Sequence, residues 1–165
     1  MKLRAELRPE NLTALVDSRE QTPLDLSPIR VETATLPTGD YSLRGLDHVV
    51  AVERKSLPDL LVCVGQERKR FEREVQRLLA YPVRALVVES DWQEIERGGW
   101  RSRVTPSAVV GSLLGWIAQG LPVVMVGDHD RAGRYVSRLL YITAKRRWRE
   151  ARTLAEAVLE EPLTV

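Results

Sequence analysis

Glu53 and Lys55 stand two apart at the end of an apolar run, Val49-Val50-Ala51-Val52. Residues two apart on a β-strand leave the same face, so this carboxylate and this ammonium are neighbours. Alone, the pair is no more than an ion pair at a strand end. Asp40 comes thirteen residues earlier, where a hairpin partner of that strand begins. An antiparallel hairpin of this length would bring Asp40 beside Glu53. Two carboxylates at close quarters repel each other and attract a cation. Oxygen-only ligands suit magnesium, which keeps several waters and meets phosphate oxygens. Lys55 would then orient, or help deprotonate, an attacking water. These are the parts that phosphodiester hydrolysis requires.

More acid and base lies close by in the chain. Asp17-Ser18-Arg19-Glu20 directly follows a short apolar strand. By itself it is a polar turn with a local ion pair. Asp59 follows Lys55 by four and sits where the start of a helix favours negative charge. Arg54 lies between Glu53 and Lys55, so on an ideal strand its side chain points to the other face. Arg68-Lys69-Arg70 and Lys145-Arg146-Arg147-Trp148-Arg149 have the make-up of phosphate-contacting surfaces. Plainer explanations exist for both: Arg73 and Arg77 can pair with Glu72 or Glu74, and a basic helix C-terminus complements the helix dipole.

Strands and helices must hold these residues. Leu12–Val16 predicts a strand, followed by a turn through Gln21-Thr22-Pro23. Ile29–Leu36 is rich in β-branched residues and predicts a second strand. Tyr41–Leu43 and His48–Glu53 predict a hairpin, and the apolar run in its second half predicts burial on both faces. From Leu57 the spacing turns helical, through Leu60, Leu61 and Val64, then Phe71, Val75 and Leu78, with an interruption at Gly65-Gln66. Arg84–Glu89 predicts a strand. Ser90–Arg103, with Trp92, Trp100 and Gly98-Gly99, predicts a mobile connection. Thr105-Pro106 opens a helix that Gly120 stops. Leu121–Val126 predicts another strand, Asp130–Glu150 a long helix, and a short helix follows Thr153. The order predicts an α/β fold: a three-layer domain with a central mixed β-sheet flanked by helices. Residues 1–150 form that domain and residues 151–165 a short C-terminal helix or tail.

Three segments taken together are more specific than any one: Val16-Asp17-Ser18-Arg19-Glu20, Gly39-Asp40-Tyr41, and Val52-Glu53-Arg54-Lys55-Ser56-Leu57-Pro58-Asp59-Leu60. In this order and spacing they resemble the nuclease domain of the XPF family. Its members are structure-specific DNA endonucleases of repair and recombination with a restriction-endonuclease-like fold. The similarity runs on through Arg70 and Glu74, the strand ending in Glu89 and the helix–strand–helix tail, over about residues 12–145.

The resemblance implies Mg2+ or Mn2+ held by Asp40, Glu53 and the backbone carbonyl of Arg54, with Lys55 at the water and Asp59 beside the catalytic set. Asp17 and Glu20 complete the acidic cluster or hold a second metal. Arg19, Arg54 and Arg70 hold the scissile phosphate or lock the acids; apart from the resemblance, the basic make-up of Arg68-Lys69-Arg70 is the ground for expecting DNA contacts from Arg68 and Lys69. Family members usually also carry a tandem helix-hairpin-helix domain. Fifteen residues follow Glu150 and no G-x-x-x-x-G-K-[ST] motif occurs. The expectation is therefore a free-standing nuclease domain of phage or mobile-element type. It would form a homodimer through that domain or use a separate partner for DNA-structure recognition. Tyr135, Leu139, Leu140 and Ile142 on the last helix would face a second copy or pack on the sheet.

Two rivals stand beside this reading. Glu89 with Asp128-His129-Asp130 is similar to the Toprim magnesium pattern, although Ser90 stands where that pattern has glycine. The other rival is a catalytically silent DNA-binding or dimer-partner protein on the same fold. Such partners usually lose their acids, whereas Asp40, Glu53 and Lys55 are all present.

Composition narrows the classes further. With 44% hydrophobic and 29% charged residues over 165 positions, the chain can bury a core and is not a disordered sequence. One cysteine, Cys63, excludes a disulfide scaffold and a cysteine-built zinc site. No apolar run approaches the roughly 20 residues of a membrane span. These features predict a cytoplasmic protein with no membrane partner, associated with the nucleoid in a prokaryotic or phage setting. Net charge is only +2, although most of the 25 basic residues are arginines. A G+C-rich genome explains that bulk preference as well as DNA binding does, so position must carry the argument for nucleic acid.

Overall fold

The computed structural model describes residues 6–159. The extreme N-terminal residues and the end of the 151–165 tail lie outside the described residues. Six strands form one mixed sheet in the order β2-β1-β3-β4-β5-β6. They are β1 (Thr13–Asp17), β2 (Arg30–Ala34), β3 (Tyr41–Leu43), β4 (Val50–Ser56), β5 (Val83–Glu89) and β6 (Val123–Met125). β3 runs antiparallel to both β1 and β4, and the other neighbours are parallel. The helices are α1 (Leu57–Val64), α2 (Arg68–Leu79), α3 (Trp92–Arg97), α4 (Pro106–Ala118) and α5 (His129–Val158).

Side-chain alternation along the central strands divides the core in two. Val50, Val52, Ala85 and Val87 face α5, packing on Val136 and Leu140. Ala51, Leu86 and Val88 face the opposite way, onto Leu60, Val75, Leu113 and Trp116 of α1, α2 and α4. Each buried strand is therefore apolar on both faces, as expected for a strand covered on both sides. The three-layer α/β architecture is the predicted one. Among the described residues no helix is long and apolar enough to cross a membrane.

Two elements depart from expectation, and a third, β2, is the strand expected. The Ser90–Arg103 connection contains an ordered helix, α3. The Asp91 side chain caps it by accepting the Glu94 N–H at 2.7 Å, and Ile95 is fully buried beneath it. The last helix does not break near Glu150: α5 runs unbroken to Val158. Ala151, Ala155 and Ala157 favour helix, Arg152 pairs with Glu156 four residues on at 2.9 Å, and neither Gly nor Pro intervenes. β2 is an edge strand paired only with β1, and four of its five residues are exposed. Its buried anchors are the flanking Ile29 and Leu36.

Candidate active site

On the face of β4 that looks toward α1 and α2, Glu53 and Lys55 emerge side by side as their spacing predicts. The Lys55 ammonium donates to Glu53 Oε1 and lies 5.4 Å from the centre of the Phe71 ring. Asp40 enters from the start of β3. Its main-chain N–H donates to Val52 O at 2.8 Å, and its Oδ2 accepts the Arg54 N–H at 2.8 Å. β4 thus aims the Asp40 carboxylate along its own backbone. Gly39 makes the approach possible. Its φ is +75°, and a Cβ there would lie 2.9 Å from Val52 O.

Glu53 is buried, and burial pushes its pKa up to about 7; the Asp40 charge adds to the rise and Lys55 opposes it. Burial also raises Asp40, against the Arg54 N–H and Lys55, with Glu20 adding to the rise. Burial works against the charge on Lys55, but Glu53 outweighs it and holds the ammonium above its ordinary pKa. Lys55 is accordingly a cation at neutral pH, suited to holding a water or a phosphate oxygen. Glu53 and Lys55 line a cleft of about 250 Å3 together with Asp59, Arg70 and Glu74. Asp59 accepts the Ser56 hydroxyl at 2.7 Å at the start of α1. Glu74 accepts the Gly39 N–H at 3.3 Å and pairs with Arg77. Arg70, on the first turn of α2, pairs loosely with Glu67 at 3.6 Å. Cys63 also borders the cleft, but burial pushes its thiol up to about 11, so it is no thiolate nucleophile.

The remaining predicted residues lie elsewhere. Asp17 is 3% exposed, and its oxygens accept Arg19 Nε at 2.7 Å and the Leu36 N–H at 2.9 Å. Burial disfavours its charge, but these donors prevail and hold its pKa below the usual range. Glu20 accepts Arg54 Nη2 at 2.7 Å and Nε at 2.9 Å, plus the Tyr41 hydroxyl at 3.1 Å. Arg54 reaches on to Glu89 at 2.9 Å, which also meets His129 Nδ1 at 2.7 Å.

This arrangement gives each of these residues partners within the protein. The oxygens of Asp17 and Glu20 are taken up by arginines and main-chain N–H groups. The Arg54 side chain takes up the locking arrangement, buried between two carboxylates on the α5 side of the sheet. Arg19 serves as the lock on Asp17, with a second bond to Leu36 O at 2.9 Å. Arg68 also turns away from the cleft, donating to Ser112 on α4 at 3.1 Å, whereas Lys69 and Arg70 are exposed. The Toprim-like set is bound up similarly. Glu89 accepts from Arg54 and contacts His129 Nδ1, and Asp128 caps α5 by accepting the Arg131 N–H at 2.8 Å. On α5, Leu140 is buried and Leu139 partly so, while Tyr135 and Ile142 face outward. Cys63, Val62 and Phe71 are cleft residues that sequence did not single out. Their spacing from Asp59 and Arg70 on α1 and α2 was the available signal.

Asp40 and Glu53 supply only carboxylate oxygens, and each raises the cost of the other's charge. A hard dication would relieve that repulsion, so the donor set fits magnesium or manganese. Among the described residues no three His, Cys, Asp or Glu side chains gather closely enough to hold an ion alone. A bound ion would draw on main-chain oxygen and water as well, as magnesium commonly does.

Comparison with known proteins places the chain by family and by fold. The model of the ERCC4 domain family matches residues 13–139. Two solved structures of XPF from Aeropyrum pernix have similar folds. One aligns at 20% identity with a TM-score of 0.65, covering 79% of this chain and 61% of that one. The other, a complex with DNA, aligns at 21% identity with a TM-score of 0.66, covering 82% of this chain and 66% of that one. The chain thus spans less than two thirds of either structure's length. No curated protein sequence matches it.

Proposed function

The chain belongs to the ERCC4 domain family, and on that premise we propose that it is a Mg2+- or Mn2+-dependent DNA endonuclease acting on branched or flapped DNA in repair, recombination or mobile-element processing. One observation carries the reading. The Arg54 N–H fixes the Asp40 carboxylate near enough to Glu53 for each acid to feel the other's charge, and Glu53 and Lys55 pair in one cleft. The DNA bound in the Aeropyrum pernix complex supports the choice of polymer.

Asp40, Glu53 and the Arg54 carbonyl would hold the metal. When bound, the metal supplies charge neutralisation at the phosphate and a more acidic water. Lys55, cationic between Glu53 and the Phe71 ring, holds the attacking water or a non-bridging phosphate oxygen in line. Arg70 at the cleft mouth takes the neighbouring phosphate, and Asp59 keeps the start of α1 in place. Outward-facing Tyr135 and Ile142 on α5 are the surface on which a homodimer would form.

The test is cleavage of labelled branched, flapped and plain duplex DNA with magnesium or manganese. Asp40→Asn and Lys55→Ala should each lower the rate by at least about a hundredfold, the scale at which even outer partners of a metal count. Binding and folding should persist. If wild type binds DNA but never cuts, the chain is a silent partner. If Asp128→Asn or Asp130→Asn stops cutting while Asp40→Asn does not, the Toprim-like set is the centre.

A further inference from the structure

Beside the acidic cleft lies a second, larger groove of about 680 Å3 that the reaction does not use. Leu57, Pro58 and Leu61 of α1 form its apolar floor, and Trp100 with Arg101 and Arg103 forms its far wall. Val62 lines both depressions, so the two are continuous across one exposed side chain of α1. The wall is fixed in place. The Trp100 indole donates to Val104 O at 2.6 Å, and Val104 sits so close to Gly65 that a Cβ there would come within 2.9 Å of it. Arg101 and Arg103 are exposed and, among the described residues, form no ion pair.

We infer that this groove holds an unpaired DNA strand leading into or out of the cleavage cleft. An apolar floor with a fixed indole offers stacking and burial to bases, and two unpaired guanidinium groups at its edge match the backbone phosphates. A duplex cannot use such a floor, because its bases are stacked and paired. The groove therefore selects substrates with a single-stranded arm next to the scissile bond. It replaces the mobile connection expected from sequence with a built wall. The inference rests on reading the acidic cleft as the phosphodiester site, since that cleft gives the groove its direction.

The experiment uses the full chain, an end-labelled oligothymidylate of roughly a dozen nucleotides, a blunt duplex and a flapped duplex. Binding is read by fluorescence anisotropy over a range of salt, and cutting is read with manganese. Trp100→Ala should weaken oligothymidylate binding by about tenfold or more, the scale of losing one stacked base. Arg101→Ser with Arg103→Ser should lower the salt slope for single strands by about 0.7 per arginine. Blunt-duplex binding and cutting should be unchanged in all variants, and the preference for the flapped substrate should fall. The arginine pair is exposed, so it tests the groove even if Trp100→Ala unsettles the loop. The inference is overturned if wild type does not bind oligothymidylate, or if the variants bind it as wild type does, as a groove for an apolar peptide would predict. It is overturned too if duplex and single strand weaken alike. Failure of wild type to cut any substrate would instead sink the endonuclease reading, and the single-strand binding differences would still stand.

Discussion

Asp40 and Asp17 are both aspartates at the ends of strands, and their surroundings push them in opposite directions. Burial raises Asp40, so the folded chain keeps its proton more firmly than the unfolded chain does. Its contribution to stability is whole below the unfolded value of 3.8 and is lost as pH rises through the folded value. At pH 8 without metal the charge is a burden. Asp40→Asn retains an oxygen for the Arg54 N–H and removes the like charge facing Glu53. The variant should therefore melt above wild type at pH 8, and the gap should close toward pH 4. Added magnesium should raise the Tm of wild type and leave that of the variant in place; a variant that responds equally would remove Asp40 from the metal. Asp17 behaves in reverse. Arg19 and the Leu36 N–H overcome burial and lower it, so its contribution is present above 3.8 and fades as pH falls. Asp17→Asn should lose about 2 kcal/mol at pH 7, the order of charged hydrogen bonds to a buried acceptor. Urea titrations should show that loss shrinking in acid. A constant loss across pH would mean that packing, not charge, holds the turn.

At the scale of elements, what could be read in the sequence was whatever advertised itself by period or punctuation. Glu53, Lys55 and the Val49–Val52 run fixed the face and depth of β4, because alternation on a buried strand leaves few choices. Gly39-Asp40-Tyr41 was legible as a strand start. That Tyr41 would reach Glu20 depended on the tertiary fold. The side of the sheet taken by Arg54 followed from period two, but its partners did not: Glu20 and Glu89 come from elements far apart in the chain. α3 was hidden because six residues offer too little period to see, and Gly98-Gly99 beside it suggests a loop. Its order comes from the Asp91 cap, the bond from the Ser90 hydroxyl to Glu94, and above all the buried Ile95. Ile95→Ala should therefore cost about 2–5 kcal/mol, and limited proteolysis should then begin within 90–103. If the variant matched wild type in both respects, the segment would be the mobile connection its composition suggests. The continuity of α5 past Glu150 was overlooked for a different reason. Thr153 resembles a cap, but alanines and an i, i+4 ion pair outweigh it.

Across the whole molecule, the sheet separates chemistry from support. The cleft opens on the α1–α2 side, whereas the buried chain from Glu20 through Arg54 and Glu89 to His129 lies on the α5 side and joins the turn after β1, the ends of β4 and β5, and the first turn of α5. Two arginines in the same sequence neighbourhood therefore have separable duties. Arg54 is buried with two carboxylates, and removing it strands both. Arg54→Met should cost about 3–5 kcal/mol, the usual loss when one partner of a buried pair is taken away. The Glu20 pKa, now held down by Arg54 against burial, should rise in the variant, so the loss should ease as pH falls and the stranded acid takes up a proton. Arg70 is exposed and borders the cleft. Arg70→Ala should leave the Tm nearly unchanged and lower the salt slope of duplex binding by about 0.9, the share of one phosphate contact. The two variants therefore trade signatures, one seen in melting and the other in salt dependence. If Arg54→Met altered the salt slope and spared the Tm, the guanidinium would have to leave its carboxylates for the phosphate when DNA binds, and the division of the sheet into a working face and a supporting face would fail.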